Sequence, residues 1–317
     1  MRSLFLASFL FPALLSLSPA ADLPRLFELP LLNCSGLPCV DLTTGSGKTL
    51  RMLIDTGEVN AYLDTKAAET LGLALQPLKG ANESISQVQQ TTVAGAKLGS
   101  LPMGDFPFMV LDTTPQPNKP GETAQPLPAD GALTFGSFKN RLLQIDYAHR
   151  LVRISEPQNS PAACPRSCTD LVIKHFGSYG PVTLTTTGFT LNNQPVEAQI
   201  DTLFTGTMLV YPAAVEKLAL KKAAKSKHKE PFPFTQGGVK LARFDGANLG
   251  FNDIPLLQNR PLYFFTSDDH PPAVQFDVTV GSGLLRNATV TFDFKGMKIW
   301  MEPAAAQSPQ TVPQAAR

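Results

Sequence analysis

One ordered set of landmarks occurs twice in this chain, and that repetition limits the folds available to it more than any other feature. Met52-Leu53-Ile54-Asp55-Thr56-Gly57 returns, altered, as Ala198-Gln199-Ile200-Asp201-Thr202-Leu203. Upstream of each is a strand-turn-strand pattern. In the first half Leu42 to Thr44, the turn Gly45-Ser46-Gly47 and Thr49 to Ile54 deliver Asp55; in the second, Val182 to Thr187, a turn at Asn192-Asn193 and Val196 to Ile200 deliver Asp201. After each Asp comes a short helical pattern, Lys66 to Leu71 and Ala213 to Leu218. Gly95-Ala96-Lys97-Leu98-Gly99 then answers to Gly246-Ala247-Asn248-Leu249-Gly250, each leading into an apolar strand, Phe106 to Leu111 and Leu262 to Phe265. Last, Gln144-Ile145-Asp146-Tyr147 answers to Thr291-Phe292-Asp293-Phe294, each Asp-aromatic pair opening a turn into a closing strand. Asp146 lies 91 residues after Asp55, and Asp293 lies 92 after Asp201.

Landmarks kept in one order at nearly one spacing predict a duplicated supersecondary unit, because each unit must bury the same faces in the same sequence. The fold class expected is all-β, with two homologous β-barrel-like lobes, an interlobe cleft and short helices. Its 317 residues suffice for two cores of ordinary size. The lobes are expected over 22–156 and 169–303, joined by a Pro-, Ala- and Ser-rich linker at 157–168 and followed by a disordered Pro/Gln/Ala tail at 304–317. The five-proline stretch from Asp112 to Asp130 reads as a long loop beside the first lobe.

Residues 1–21 carry Arg2, an apolar run from Leu4 to Leu17 and the small residues Ser18 to Ala21, the pattern of a secretory signal peptide. The run is short for a membrane span and is interrupted by Pro12. A secreted or periplasmic protein without stable membrane association after cleavage is therefore expected. Four cysteines in an exported chain favour disulfides over thiols. They fall in two local pairs, Cys34 with Cys39 and Cys164 with Cys168. Three connectivities are possible, and the tight turn available to Ser35-Gly36-Leu37-Pro38 favours local bridges. No His stands at ligand spacing beside either pair, so no metal and no cofactor is expected.

Charged residues make up 17% and the formal net charge is +1, which gives no global reason to expect nucleic acid or an anionic membrane as partner. The chemistry must come from local features. Two acids delivered from equivalent places in two lobes can share one proton: one ionised carboxylate takes a proton from water, and the neutral one polarises a carbonyl. A chain holding both acids needs no second copy, so a monomer acting on a polypeptide substrate is expected.

From about Val40 to Met301 the chain resembles the bilobal aspartic proteases of the pepsin and retropepsin type, its lobes closest to compact bacterial retropepsin-like ones. The resemblance implies an aspartic endopeptidase with Asp55 and Asp201 as its catalytic pair. It implies that Thr56 and Thr202 reach across to the opposite loop and lock the two together, with Gly57 and Leu203 completing the loops. It also implies an apolar-apolar-Gly run beneath each loop, matched approximately by Thr134-Phe135-Gly136 and Thr279-Val280-Gly281. The polar stretch Gly80 to Val93 would form a flap hairpin, without the tyrosine of pepsin's flap.

Three positions depart from that pattern. Leu203 replaces the second glycine, and Glu58 and Phe204 follow the two tripeptides where a small residue is usual. A leucine where two backbones approach is expected to overpack the axis by about 1 to 3 kcal/mol unless the loop shifts. The alternative function is accordingly a catalytically degenerate homologue that binds peptide or protein. Other motifs carry less. Gly45-Ser46-Gly47-Lys48-Thr49 lacks the leading glycine and following helix of a phosphate loop, and Gly281-Ser282-Gly283 is too short for a nucleophile elbow. The basic run from Lys221 to Lys229 reads as an exposed loop at the rim of the cleft.

Overall fold

The computed structural model describes residues 25–78, 88–113, 127–163, 165, 167–175, 182–220, 226–230, 239–265 and 274–303. The expected signal peptide and tail, most of the proline-rich loop and residues 80–87 of the expected flap stretch lie outside them.

Two eight-stranded sheets are built alike. In the first, Leu37–Thr43 and Thr49–Asp55 pair antiparallel, and the second of these takes Gly131–Thr134 as a parallel neighbour with Asp55 opposite Thr134. In the second sheet Val182–Leu191 pairs with Gln194–Asp201, which takes Val278–Gly281 in parallel with Asp201 opposite Gly281. Asn192 and Asn193 turn the second hairpin with φ of 50° and 63°, the left-handed pair that a two-residue hairpin turn requires and that asparagine tolerates. Met52, Leu53 and Ile54 are all buried, as are Ala198, Gln199 and Ile200. The aspartate strands are covered on both faces, so their ends are held rigidly.

The short helices fall where the sequence places them, at Thr65–Leu71 and Pro212–Lys217. The first is capped by the Asp64 carboxylate, which accepts the Lys66 N–H at 2.9 Å, and stopped by Gly72 at φ 67°. The second starts on Pro212, whose missing N–H costs nothing in a first turn.

A third sheet of six strands joins the halves. Its centre is the antiparallel pairing of Leu142–Asp146 with Ala288–Asp293, flanked by Leu151–Ser155 and Lys298–Pro303. The Asp-aromatic turns close these hairpins as expected. Asp293 is fully buried and accepts the N–H groups of Lys295 and Gly296, each at 2.9 Å; Asp146 accepts the His149 N–H at 3.0 Å.

The basic run is only in part what the sequence suggested. Ser226–Glu230 is a strand that pairs with Val239–Phe251, whose 13 residues offer a backbone edge in need of a partner. Lys221, Lys222 and Lys225 lie outside the described residues.

Cys34 and Cys39 are bridged, stapling the hairpin that opens the first lobe. Cys168 is also disulfide-bonded, and its expected partner Cys164 lies outside the described residues. Arg286 of the second half donates to the Gly36 carbonyl inside the first staple, tying that hairpin to the opposite lobe. Loop-closure entropy for so short a loop is worth about 2 kcal/mol. Replacing both Cys34 and Cys39 with serine is expected to lower the unfolding free energy by about that amount in denaturant titration, with the m-value unchanged.

Candidate active site

Each aspartate ends its strand and accepts hydrogen bonds from the loop that follows. The Gly57 N–H donates to Asp55 Oδ1 at 2.9 Å, and the Leu203 and Phe204 N–H groups donate to Asp201 Oδ1 at 2.8 and 3.2 Å. The two loops have the same local design despite the change of glycine to leucine.

The threonines bring them together. Thr56 Oγ1 donates to the Ile200 carbonyl at 3.0 Å, and Thr202 Oγ1 donates to the Ile54 carbonyl at 2.5 Å. Each hydroxyl also accepts the other threonine's N–H, at 3.1 Å for Thr56 N–H and 3.3 Å for Thr202 N–H. Both residues are fully buried, so this reciprocal set satisfies backbone groups that water cannot reach. The pairing also explains Gly57: a β-carbon there would lie 3.0 Å from the Asp201 Cγ. The glycine thus makes room for the side chain of the opposite aspartate, not for the opposite backbone as expected.

Asp55 is buried and Asp201 is partly exposed. The Asp55 carboxyl is pushed well above the usual carboxylate range, first by burial, then by the Asp201 charge, with Glu58 adding to it; the loop N–H groups oppose the shift. Asp201 is raised as well, chiefly by burial and against the Leu203 and Phe204 N–H groups. Glu58 turns back on its own loop, where its carboxylate accepts the Val59 and Asn60 N–H groups at 2.7 and 3.3 Å.

Leu203 does not wedge the axis apart. Its side chain is 4% exposed and belongs to an apolar cluster of the first lobe with Cys34, Cys39, Leu53, Tyr62 and Ala132. The overpacking expected at the axis is avoided because the side chain leaves it for this apolar face. Phe204 packs beside Leu209, Tyr211, Leu241 and Phe276 in the second lobe.

The glycine runs beneath the loops need a correction. Strand register sets Thr134 opposite Asp55 and Gly281 opposite Asp201, so Gly281 is the counterpart of Thr134 and not of Gly136. Gly136 corresponds instead to Gly283. A β-carbon at Gly136 would meet the Val59 carbonyl oxygen at 2.1 Å, and one at Gly283 would meet the Thr205 carbonyl oxygen at 2.6 Å. Val59 and Thr205 each stand four residues after their aspartate. Loop contacts agree, since the Phe135 N–H donates to the Glu58 carbonyl at 3.3 Å and the Ser282 N–H to the Phe204 carbonyl at 2.8 Å.

Sequence reasoning missed two features. Tyr62 is buried near both aspartates, and its phenol is pushed up by burial and by the charges of Asp55, Asp201 and Glu58. A tyrosine seven residues after an aspartate gives no signal until the strand Tyr62–Asp64 is seen beside Gly131–Thr134. The second is a buried relay in the other lobe. The Tyr211 hydroxyl meets Thr279 Oγ1 at 3.0 Å, Thr279 donates to Gln199 Oε1 at 2.8 Å, the Gln199 amide donates to Thr183 Oγ1 at 3.0 Å, and Thr183 donates to the Gly57 carbonyl at 3.1 Å.

Two lobes of one design, a shared central sheet and two Asp-Thr loops locked across the axis define a pepsin/retropepsin-like aspartic protease fold. Within it, residues 40–131 match the family model described as aspartyl protease. No curated protein matches the sequence. Among solved structures, the chain is similar to basic 7S globulin from soybean at 12% identity and a TM-score of 0.47, covering 89% of this chain and 96% of that one. It is similar to the aspartic proteinase from Irpex lacteus at 13% identity and a TM-score of 0.46, covering 90% and 100%. Conglutin gamma, a basic 7S globulin from lupine seeds, matches at 12% identity and a TM-score of 0.47, covering 88% and 95%.

Proposed function

We propose that this chain is an exported aspartic endopeptidase that hydrolyses peptide bonds with water activated by Asp55 and Asp201. The observation that carries the reading is the threonine lock, which holds two raised carboxyls at the ends of rigid strands. With one proton between them, the ionised carboxylate takes a proton from water as the water oxygen attacks the scissile carbonyl carbon. The protonated carboxyl gives its proton to the carbonyl oxygen, forming a neutral gem-diol. That intermediate collapses as its nitrogen is protonated and the C–N bond breaks, returning one proton to the pair.

Burial raises both groups, so the pair keeps its last proton to higher pH than a free aspartate. Cleavage of unfolded protein by the mature chain is expected between about pH 3 and 6 and is expected to fall as pH rises past the raised member. A pH profile of kcat/KM on a peptide library checks this. Activity rising through neutrality to alkaline pH would contradict a shared-proton pair.

A second reading, a non-catalytic peptide-binding homologue, draws on Glu58 and Phe204. Glu58 spends its carboxylate on its own backbone, and Phe204 puts a ring where a small residue is usual. Peptide affinity with no turnover at any pH favours it over the endopeptidase.

A further inference from the structure

The two lobes treat the opposite loop differently. Leu203 is buried in an apolar cluster of the first lobe that includes Cys39, Leu53 and Ala132, with Leu37 packed against it. The register counterparts of Leu37, Cys39, Leu53 and Ala132 in the second lobe are Thr183, Thr185, Gln199 and Thr279. At the place equivalent to Leu203 the first lobe has Gly57, which has no side chain and whose carbonyl accepts from the Thr183 hydroxyl at 3.1 Å. Leucine thus meets an apolar face and a bare peptide group meets a polar one.

Position fixes what the apolar face would otherwise do. Leu53 stands two residues before Asp55 on its strand, and Tyr62 lies within electrostatic reach of both carboxyls. This face therefore flanks the place where a scissile bond must sit. A peptide residue next to that bond would project its side chain onto one lobe's face or the other's. On the first-lobe side the space is taken, because Leu203 is 4% exposed there.

We propose that Leu203 is a specificity-determining residue: it fills the apolar pocket beside Asp55, so the site takes only a small side chain at one of the two positions flanking the scissile bond. This rests on the endopeptidase reading. The opposite flanking position is not restricted by Leu203. Truncating the leucine opens an apolar pocket lined by Leu53, Tyr62, Ala132 and the Cys34–Cys39 bridge.

The test uses quenched-fluorescence peptides in which each flanking residue is Gly, Ala, Leu or Phe. Cleavage and binding are both measured for the full mature chain and for Leu203→Ala, with Leu203→Val as a variant that keeps most of the packing. The unaltered protein is expected to favour Gly or Ala over Leu or Phe at one flanking position by at least about tenfold in kcat/KM. Leu203→Ala is expected to gain about tenfold or more on Leu or Phe at that position alone, and Leu203→Val less.

If large residues are accepted equally at both positions by all three proteins, the proposal falls and the endopeptidase reading stands. A variant that loses stability with no change of preference makes Leu203 interlobe packing only, which also overturns the proposal. Binding without cleavage that shows the same switch of preference sinks the endopeptidase reading and keeps the pocket assignment. Neither binding nor cleavage sinks both.

Discussion

Replacing Asp55 or Asp201 with asparagine is expected to lower kcat/KM by about 10²- to 10⁴-fold, and replacing both is expected to cost little more than replacing one. The near-equality follows from the shared proton, since the single carboxyl left by either asparagine cannot be ionised base and protonated acid in the same step. The same variants are expected to be more stable than the parent at neutral pH. Both carboxyls are raised in the folded protein, so the folded state holds protons more tightly than the unfolded chain. Their favourable contribution is complete below the unfolded value of about 3.9 and is lost as pH rises through the raised folded values. Asparagine cannot ionise and keeps an oxygen for the loop N–H groups, so it escapes that loss. Thermal unfolding at pH 3 and pH 7 checks the sign: both variants gain at pH 7, and the difference closes at pH 3.

The second large effect is expected at the threonine lock. Thr202→Val leaves the Ile54 carbonyl and the Thr56 N–H without partners, and Thr56→Val does the same to the Ile200 carbonyl and the Thr202 N–H. Each buried group left unpaired costs about 1 to 3 kcal/mol, so either substitution is expected to destabilise by about 2 to 5 kcal/mol at nearly constant volume. The double variant should lose less than the two single losses combined, because all four bonds belong to one arrangement. Serine at either position retains the hydroxyl and is expected to restore most of the stability in urea titration. Activity should follow stability only in part, since loops that separate by a fraction of an ångström no longer share a proton.

The repeated landmarks made much of this fold readable. Strand pattern, turn residues and spacing place both hairpins, both short helices and both Asp-aromatic turns. They do so because each is governed by neighbours within a few residues. Register was harder. Thr134-Phe135-Gly136 and Thr279-Val280-Gly281 look alike in sequence, yet the parallel pairing to the aspartate strands sets Thr134, not Gly136, level with Gly281. A glycine stands at both Gly281 and Gly283, so spacing alone admits two alignments that differ by two residues.

Leu203 shows a different limit. Its volume is evident in the sequence, and overpacking follows if the residue points along the axis. Its direction depends on the apolar character of Leu53, Cys39 and Ala132, which only the folded chain brings opposite it. Tyr62 is of the same kind, its place near the carboxyls set by strand pairing and not by its distance along the chain.

The central six-stranded sheet also sets an order of events during synthesis. When the first half of the chain leaves the ribosome, Leu142–Asp146 can already pair with Leu151–Ser155 on one side. Its other side has no partner until Ala288–Asp293 has been translated. For that interval the nascent chain carries an open strand edge, able to accept a strand from another molecule. Completion of the second half is therefore also the step that removes the first half's tendency to associate.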